Sequence, residues 1–255
     1  KYMAFTFIMQ TIAANLGSMM TPIGNPQNLY LYAQSGMGTG SFVLLMLPYT
    51  LISLVLLVTL ILIMEEHDVD TSGLVAMEDK REIHVKPMVI YSAMFAGCIL
   101  AVAGLVPWQA MLVVVAVVTL IMDAKIFIKV DYSLLLTFVG FFIFIGNMGR
   151  FPAFRDFLSS ILEGRVTLVA VLGSQVISNV PAALLLSGFT NEWPSLIVGT
   201  NLGGLGTLIA SMASLISYKQ LAEAYPDRKG KYMVMFSVAN GVFLIILFAS
   251  AMLLM

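Results

Sequence analysis

Charge is what this 255-residue chain has least of: Asp, Glu, Lys and Arg together make up only 11% of it. A soluble domain carries about a quarter charged residues. With 60% hydrophobic residues and a mean hydropathy of +0.96, the chain has more apolar surface than a water-soluble core could hide. Cysteine is almost absent too, and Cys98 alone excludes an intrachain disulfide and any cysteine cluster for a metal. The net charge of -1, with the basic residues scattered among short loops, excludes the basic patch that nucleic-acid binding requires. Gly-Ser linkers, Pro-rich tracts and a separate soluble segment are missing. So is the basic region, short apolar core and cleavage site of a secretory signal. No Asp, Glu, His, Lys or Arg falls inside an expected span, which removes the acid–base pairs and metal ligands of an intramembrane enzyme. No catalytic residue, resident metal or organic cofactor is therefore expected.

What remains is an all-α polytopic membrane protein, multi-pass and integral. A hydrocarbon core of about 30 Å takes roughly 20 apolar residues per helix, and the charges mark where each span ends. The uncharged stretch Tyr2 to Met64 is divided by Gly36-Met37-Gly38-Thr39-Gly40 into a broken span and a plain one, Ser41 to Met64, with Pro48 placed near its start. Residues 65–86 form a charged loop; His67 and His84 there lack ligand spacing and read as solvated. Pro87 to Met122 holds two helices around the turn Gly104-Leu105-Val106-Pro107-Trp108, and Tyr132 to Gly149 holds one more. Phe151 to Arg165 places Phe154, Phe157, Leu158, Ile161 and Leu162 opposite Arg155, Asp156 and Glu163, the pattern of a helix lying in the interface. Val166 to Asn191 is uncharged but interrupted by Ser178-Asn179-Val180-Pro181. A re-entrant hairpin with that polar tip in a cavity explains the interruption. Pro194 to Tyr218 is a second broken span, and Tyr232 to Met255 a plain helix.

The two broken spans look like copies of one unit. Asn15-Leu16-Gly17 recurs as Asn201-Leu202-Gly203, and the same offset of 186 residues pairs Thr21 with Thr207, Ile23 with Ile209, Leu29 with Leu215 and Tyr32 with Tyr218. Corresponding broken helices in two halves are the sequence mark of a transporter binding site. Where a helix unwinds at mid-membrane, free N–H groups hold an anion, and freed carbonyl and side-chain oxygens hold a cation. Gly24-Asn25-Pro26 suits such a break, glycine by its backbone freedom and proline by tolerating the first turn; Ala210-Ser211-Met212 is its counterpart. The alternative is that these small residues only permit close helix packing. The run Gly203-Gly204-Leu205-Gly206-Thr207 lacks the lysine of a phosphate loop.

Lys and Arg sort by side. A first span leaving the Lys1 side returns Lys80, Arg81, Lys86, Lys125, Lys129, Lys219, Arg228, Lys229 and Lys231 to that side. By the positive-inside rule it is cytoplasmic. Arg150, Arg155 and Arg165 are exceptions on the outer face. A hairpin entering from outside makes the two broken spans antiparallel, as an inverted repeat demands.

With these residues the chain resembles the ion transporter superfamily: citrate carriers, divalent anion:sodium symporters, arsenite permeases and related sodium/proton exchangers. The likeness covers most of the chain and matches the C-terminal two-thirds of such a transporter. It implies an inverted-repeat transporter in a bacterial or archaeal plasma (inner) membrane. Residues 1–64 would then end the first repeat, 65–86 form a cytoplasmic loop, and 87–255 form the second repeat, with the first repeat's hairpin lying upstream of Lys1. Ser178-Asn179-Val180 resembles the hairpin tip, and the Gly24 and Ala210 segments resemble the broken-helix motifs. By resemblance, Gly24, Ser174, Ser178, Asn179 and Ala210 would hold cations, sodium being the expected coupling ion. Asn25, Asn179 and Ser211 would face the substrate, together with the paired Thr21 and Thr207. Val180 lacks a threonine hydroxyl and Ser211-Met212 replaces Thr-Pro, so an inorganic or other small anion stands beside a dicarboxylate as substrate. The absence of an ionisable group in the spans favours sodium over protons. The expected partners are a small anion and the bilayer, with a homodimer left open. An exchanger or arsenite-type permease is the alternative within the superfamily, and a passive channel the alternative outside it.

Overall fold

Long apolar runs without internal charge satisfy all their backbone groups within one segment by forming helices when water is absent, and every long element among the described residues is helical. The computed structural model describes residues 2–63, 85–130 and 132–255. Most of the expected loop 65–86, with His67 and His84, therefore lies outside the described residues. Among those described, four segments are long and apolar enough to cross a membrane: Thr39–Ile63, Val85–Val102, Trp108–Lys129 and Pro226–Leu254. Their outward faces stay apolar in the folded chain, with Leu62 77% and Ile245 70% exposed. Water is a poor solvent for such a surface and lipid a good one. The chain is an integral, multi-pass membrane protein.

The chain forms two compact units, Lys1–Ile61 with Ser133–Met255, and Leu62–Tyr132. The smaller holds an antiparallel helix pair whose members, here α4 (Val85–Val102) and α5 (Trp108–Asp123), flank the expected Gly104 turn. Gly104 there has φ 76°, left-handed backbone that glycine adopts without a steric penalty.

The larger unit begins with the first broken span, α1 (Tyr2–Ser18) and α2 (Pro26–Ser35), followed by α3 (Thr39–Ile63). Pro48 lies inside α3 rather than near its start, so the ladder there loses one donor within the span. After α6 (Tyr132–Met148), the chain bends by 102° into α7 (Pro152–Leu162), whose apolar stripe ends in the buried Leu162.

Next come α8 (Val166–Ile177) and α9 (Asn179–Ser187), separated only by Ser178. At about 1.5 Å per residue α8 is roughly 18 Å long, too short to cross. The chain folds back: a Cβ added at Gly173 would lie 3.8 Å from Ala182 Cβ, whereas nine residues of straight helix would separate them by about 13 Å. Ser178 makes this hairpin turn at φ 74°, the one positive φ at a non-glycine among the described residues.

The second broken span is α10 (Trp193–Leu202) and α11 (Met212–Ala224), and α12 (Lys229–Leu254) ends the unit. Gly199 and Gly203 let α10 approach α8, since a Cβ at either would sit 2.7 Å from Ala170 Cβ or 2.6 Å from Ser174 Oγ respectively. Contacts fix the direction of the two broken spans. The first half of one, α1, packs along the second half of the other, α11, and α2 packs along α10. Parallel copies would pair first half with first half, so the copies run antiparallel. The two ends of the unit are also told apart. Ala4 shares one cavity with Arg228 and Lys231, while Arg165, Glu192 and Met252 share another at the far end of α12.

Candidate functional site

The offset of 186 residues that relates the sequence copies also relates their geometry. Asn25 and Ser211 are the N-caps of α2 and α11, both extended, at φ -151° and -143°. Asn25 Oδ1 accepts from Asn28 N at 2.9 Å and Ser211 Oγ from Ser214 N at 3.2 Å. These short polar side chains cap because they accept from the unpaired N–H groups of a helix's first turn.

Each cap is also held by the opposite copy. Asn25 Nδ2 donates to Asn201 Oδ1 at 3.0 Å, and Asn15 Nδ2 donates to Ser211 Oγ at 2.9 Å. Asn201 in turn donates to Asn28 Oδ1 at 2.6 Å and to Ile197 O at 2.8 Å. Asn28 donates to Met19 O and Thr21 O, both at 3.1 Å. Because the network ends on backbone groups, which only donate or only accept, the orientation of each amide is determined. Ser211 Oγ has no capacity left over. It accepts from Asn15 and Ser214 N, so its hydrogen goes to Ser214 Oγ at 2.8 Å.

Between these caps and the hairpin tip lies a cavity of about 220 Å³, lined by Asn15, Ser18, Gly24, Asn25, Gln27, Asn179, Asn201 and Ser211 among others. Three helices start at it: α2 presents Asn25, Pro26 and Gln27, α9 presents Asn179 and Val180, and α11 presents Ser211, Met212 and Ala213. Among the described residues, no charged side chain contributes to the lining.

The expected site residues separate into those at the cavity and those behind it. Asn25, Asn179, Ser211 and Gly24 line the cavity. Gly24 is there for space, not for backbone freedom: its φ is not positive, and a Cβ would overlap the Ser18 carbonyl. Ser174, Ser178 and Ala210 sit behind the lining. Ser174 is fully buried and donates to Ala170 O at 2.7 Å, and Ser178 Oγ donates to Ala210 O at 3.3 Å. The two threonines serve the breaks. Thr21 accepts through its carbonyl from Asn28 and from Gly24 N, and Thr207 is tied by its N–H and hydroxyl to Gln175.

Four residues of the site were not among the sequence candidates. Asn15 and Asn201 carry the cross-copy bonds; their repetition at one offset inside apolar sequence was the signal available. Gln175 spans the second break, donating to Gly203 O and Leu205 O, both at 2.9 Å. Gln27 lines the cavity at 3% exposure, and only its polarity within a span marked it.

Residues 3–191 match the family model described as citrate transporter. Over 246 residues, 96% of this chain and 65% of the relative, the sequence is 34% identical to an uncharacterised transporter of Methanocaldococcus jannaschii. It is 30% identical to the inner membrane protein YbiR of Escherichia coli, over 83% of this chain and 57% of that protein. The chain thus spans less than two thirds of the length of either relative. No solved structure matches it significantly. The match to the family model runs over most of the chain and includes the first broken span and the hairpin, and it places this chain in the citrate transporter family.

Proposed function

We infer that this chain forms the substrate-binding part of a secondary active transporter in a prokaryotic plasma membrane, one that moves a small anion by alternating access with sodium as coupling ion. One observation carries the reading: the N-termini of α2, α9 and α11 converge on one cavity whose lining, among the described residues, holds no charged side chain. Each N-terminus contributes about half a positive charge and unpaired N–H groups. Asn28 N and Ser214 N are spent on the caps, which leaves the first-turn N–H groups of Gln27, Met212 and Ala213 for a ligand. Asn179, 5% exposed, adds a side-chain amide with no hydrogen-bond partner among the described residues.

The same lining supports sodium as the coupling ion. An anion held by dipoles alone, with no basic side chain, is stabilised by a co-bound cation, and amide and carbonyl oxygens suffice to hold sodium. Asn15 Oδ1 and Asn179 Oδ1 offer such oxygens at the cavity. The test is uptake by the complete transporter in proteoliposomes, across a panel of inorganic and carboxylate anions, with and without a sodium gradient. Concentrative, sodium-dependent uptake of an anion is expected. Equilibration that never exceeds the outside concentration would mean a channel.

A further inference from the structure

We propose that Gln27 is a direct ligand of the transported anion and the residue that makes the two sides of the site chemically unequal; this rests on the reading of the cavity as an anion site. Gln27 is the second residue of α2, 3% exposed, and it lines the cavity. Its side-chain amide has no hydrogen-bond partner among the described residues, although its neighbours Asn25, Asn28 and Asn201 are all engaged with one another. The amide atoms are not stranded in the core but open onto the cavity, which leaves both donors and the acceptor free for whatever the cavity binds.

The repeat strengthens the assignment. The same offset of 186 residues carries Gln27 onto Ala213, second residue of α11, and Ala213 lines the same cavity. Ala213 does so with its hairpin, α8 and α9, in place, so the position faces the cavity by the symmetry of the fold. The two sides differ only in what they present. On the α2 side a primary amide supplies two donors beside the Gln27 N–H. On the α11 side the equivalent helix start, Met212 and Ala213, supplies backbone N–H groups alone, and the side-chain amide there is that of Asn179 at the hairpin tip, next to the apolar Val180. The substrate class that fits is a small anion whose oxygens accept from the Gln27 amide at the start of α2 as well as from Asn179.

The experiment uses the complete transporter in proteoliposomes with the anion that wild type accumulates. Gln27→Ala, which copies the residue on the other side, is expected to raise the substrate KM at least tenfold at saturating sodium while leaving the sodium half-saturation within about threefold. Gln27→Glu keeps the shape but exchanges the donors for a negative charge, and it is expected to abolish uptake at neutral pH. Purified protein of both variants is checked for an unchanged melting temperature. If Gln27→Ala fails to fold, Gln27→Glu decides alone by direct binding measurements. Wild-type KM in a folded Gln27→Ala, or wild-type affinity in Gln27→Glu, overturns the proposal. Failure of wild type to accumulate any anion instead overturns the reading of the site, so the two failures are distinct.

Discussion

Asn25 on one broken span donates from Nδ2 to Oδ1 of Asn201 on the other, 3.0 Å away. Inverting the two copies generates a second bond, Asn15 Nδ2 to Ser211 Oγ at 2.9 Å. Each bond joins the end of one copy's first half-helix to the N-cap that starts the other copy's second half-helix. Two such bonds at the centre of the unit make the breaks mutually dependent: neither cap can swing into or out of the cavity without releasing an asparagine of the opposite copy. The helix starts at the cavity are thereby held at fixed positions, which lowers the ordering cost of any ligand that binds there.

Asn179→Ala in the complete protein is expected to abolish transport with little change in stability. Its side-chain amide makes no bond within the protein, so truncation forfeits packing but leaves no stranded partner. Sodium and substrate affinities measured on purified protein should fall together, since one amide serving both ligands couples them. A folded variant that retains both affinities would remove Asn179 from the site.

Gly17 and Gly203 are equivalent in the repeat and unequal in the structure. A Cβ at Gly17 meets nothing within 4 Å, whereas one at Gly203 falls 2.6 Å from Ser174 Oγ. Gly17→Ala should leave the melting temperature within a degree or two of wild type, and Gly203→Ala should lower stability by about 1–3 kcal/mol. Equal melting temperatures for the two variants would contradict the close approach of α10 to α8.

Gly24→Ala is expected to be more severe, because the added methyl overlaps the backbone carbonyl of Ser18 and no side-chain rotation relieves it. The first break would open, and with it the Asn25 cap. A sharp loss of monodisperse protein on size exclusion is the readout; normal yield and uptake would refute the geometry of the break.

Gln175→Leu removes the side chain that clamps the 203–207 turn through two donated bonds and one accepted from Thr207 N, all 2.9 Å. Each is worth about 1 kcal/mol net, and the freed turn carbonyls cost more where they stay dry. Faster hydrogen exchange at the Thr207 amide, with α12 protection unchanged, is expected. Unchanged exchange at Thr207 would show that the turn holds without the clamp.

Sidedness is testable with cysteines in a Cys98-free background. A cysteine at Asn191, before α10, is expected to react with impermeant reagent only from outside, and one at Lys229, at the start of α12, only from the cytoplasm. The reverse pattern would invert the topology.

How much of the site was legible depended on how each residue acts. Asn25, Asn179 and Ser211 stood at Pro- or Gly-marked interruptions of apolar runs, and such a mark is local. Gln27 shares the Pro26 mark without being singled out by it, and Gln175 carries none. Their importance comes from what lies across the fold from them, a cavity for one and the 203–207 turn for the other. Gly24 was readable as special, but the reason was not: a close approach to Ser18 leaves no trace in sequence, whereas a flexible backbone was the obvious inference.

The sequence by itself determined the class of molecule. Scarce charge and long apolar runs require helices in a bilayer, since only helical bonding satisfies the backbone there, and repeated polar breaks at one offset require a duplicated unit. The tertiary structure alone decided that the copies lie antiparallel with their caps exchanged between Asn25 and Asn201 and between Asn15 and Ser211. It also decided that Ser211 spends its hydroxyl on the protein while the amides of Gln27 and Asn179 line the cavity without a hydrogen bond to the described residues. The physical reason is that hydrogen-bonding capacity is fixed for each side chain, and which part of it remains unspent depends on neighbours that only the folded chain brings within reach.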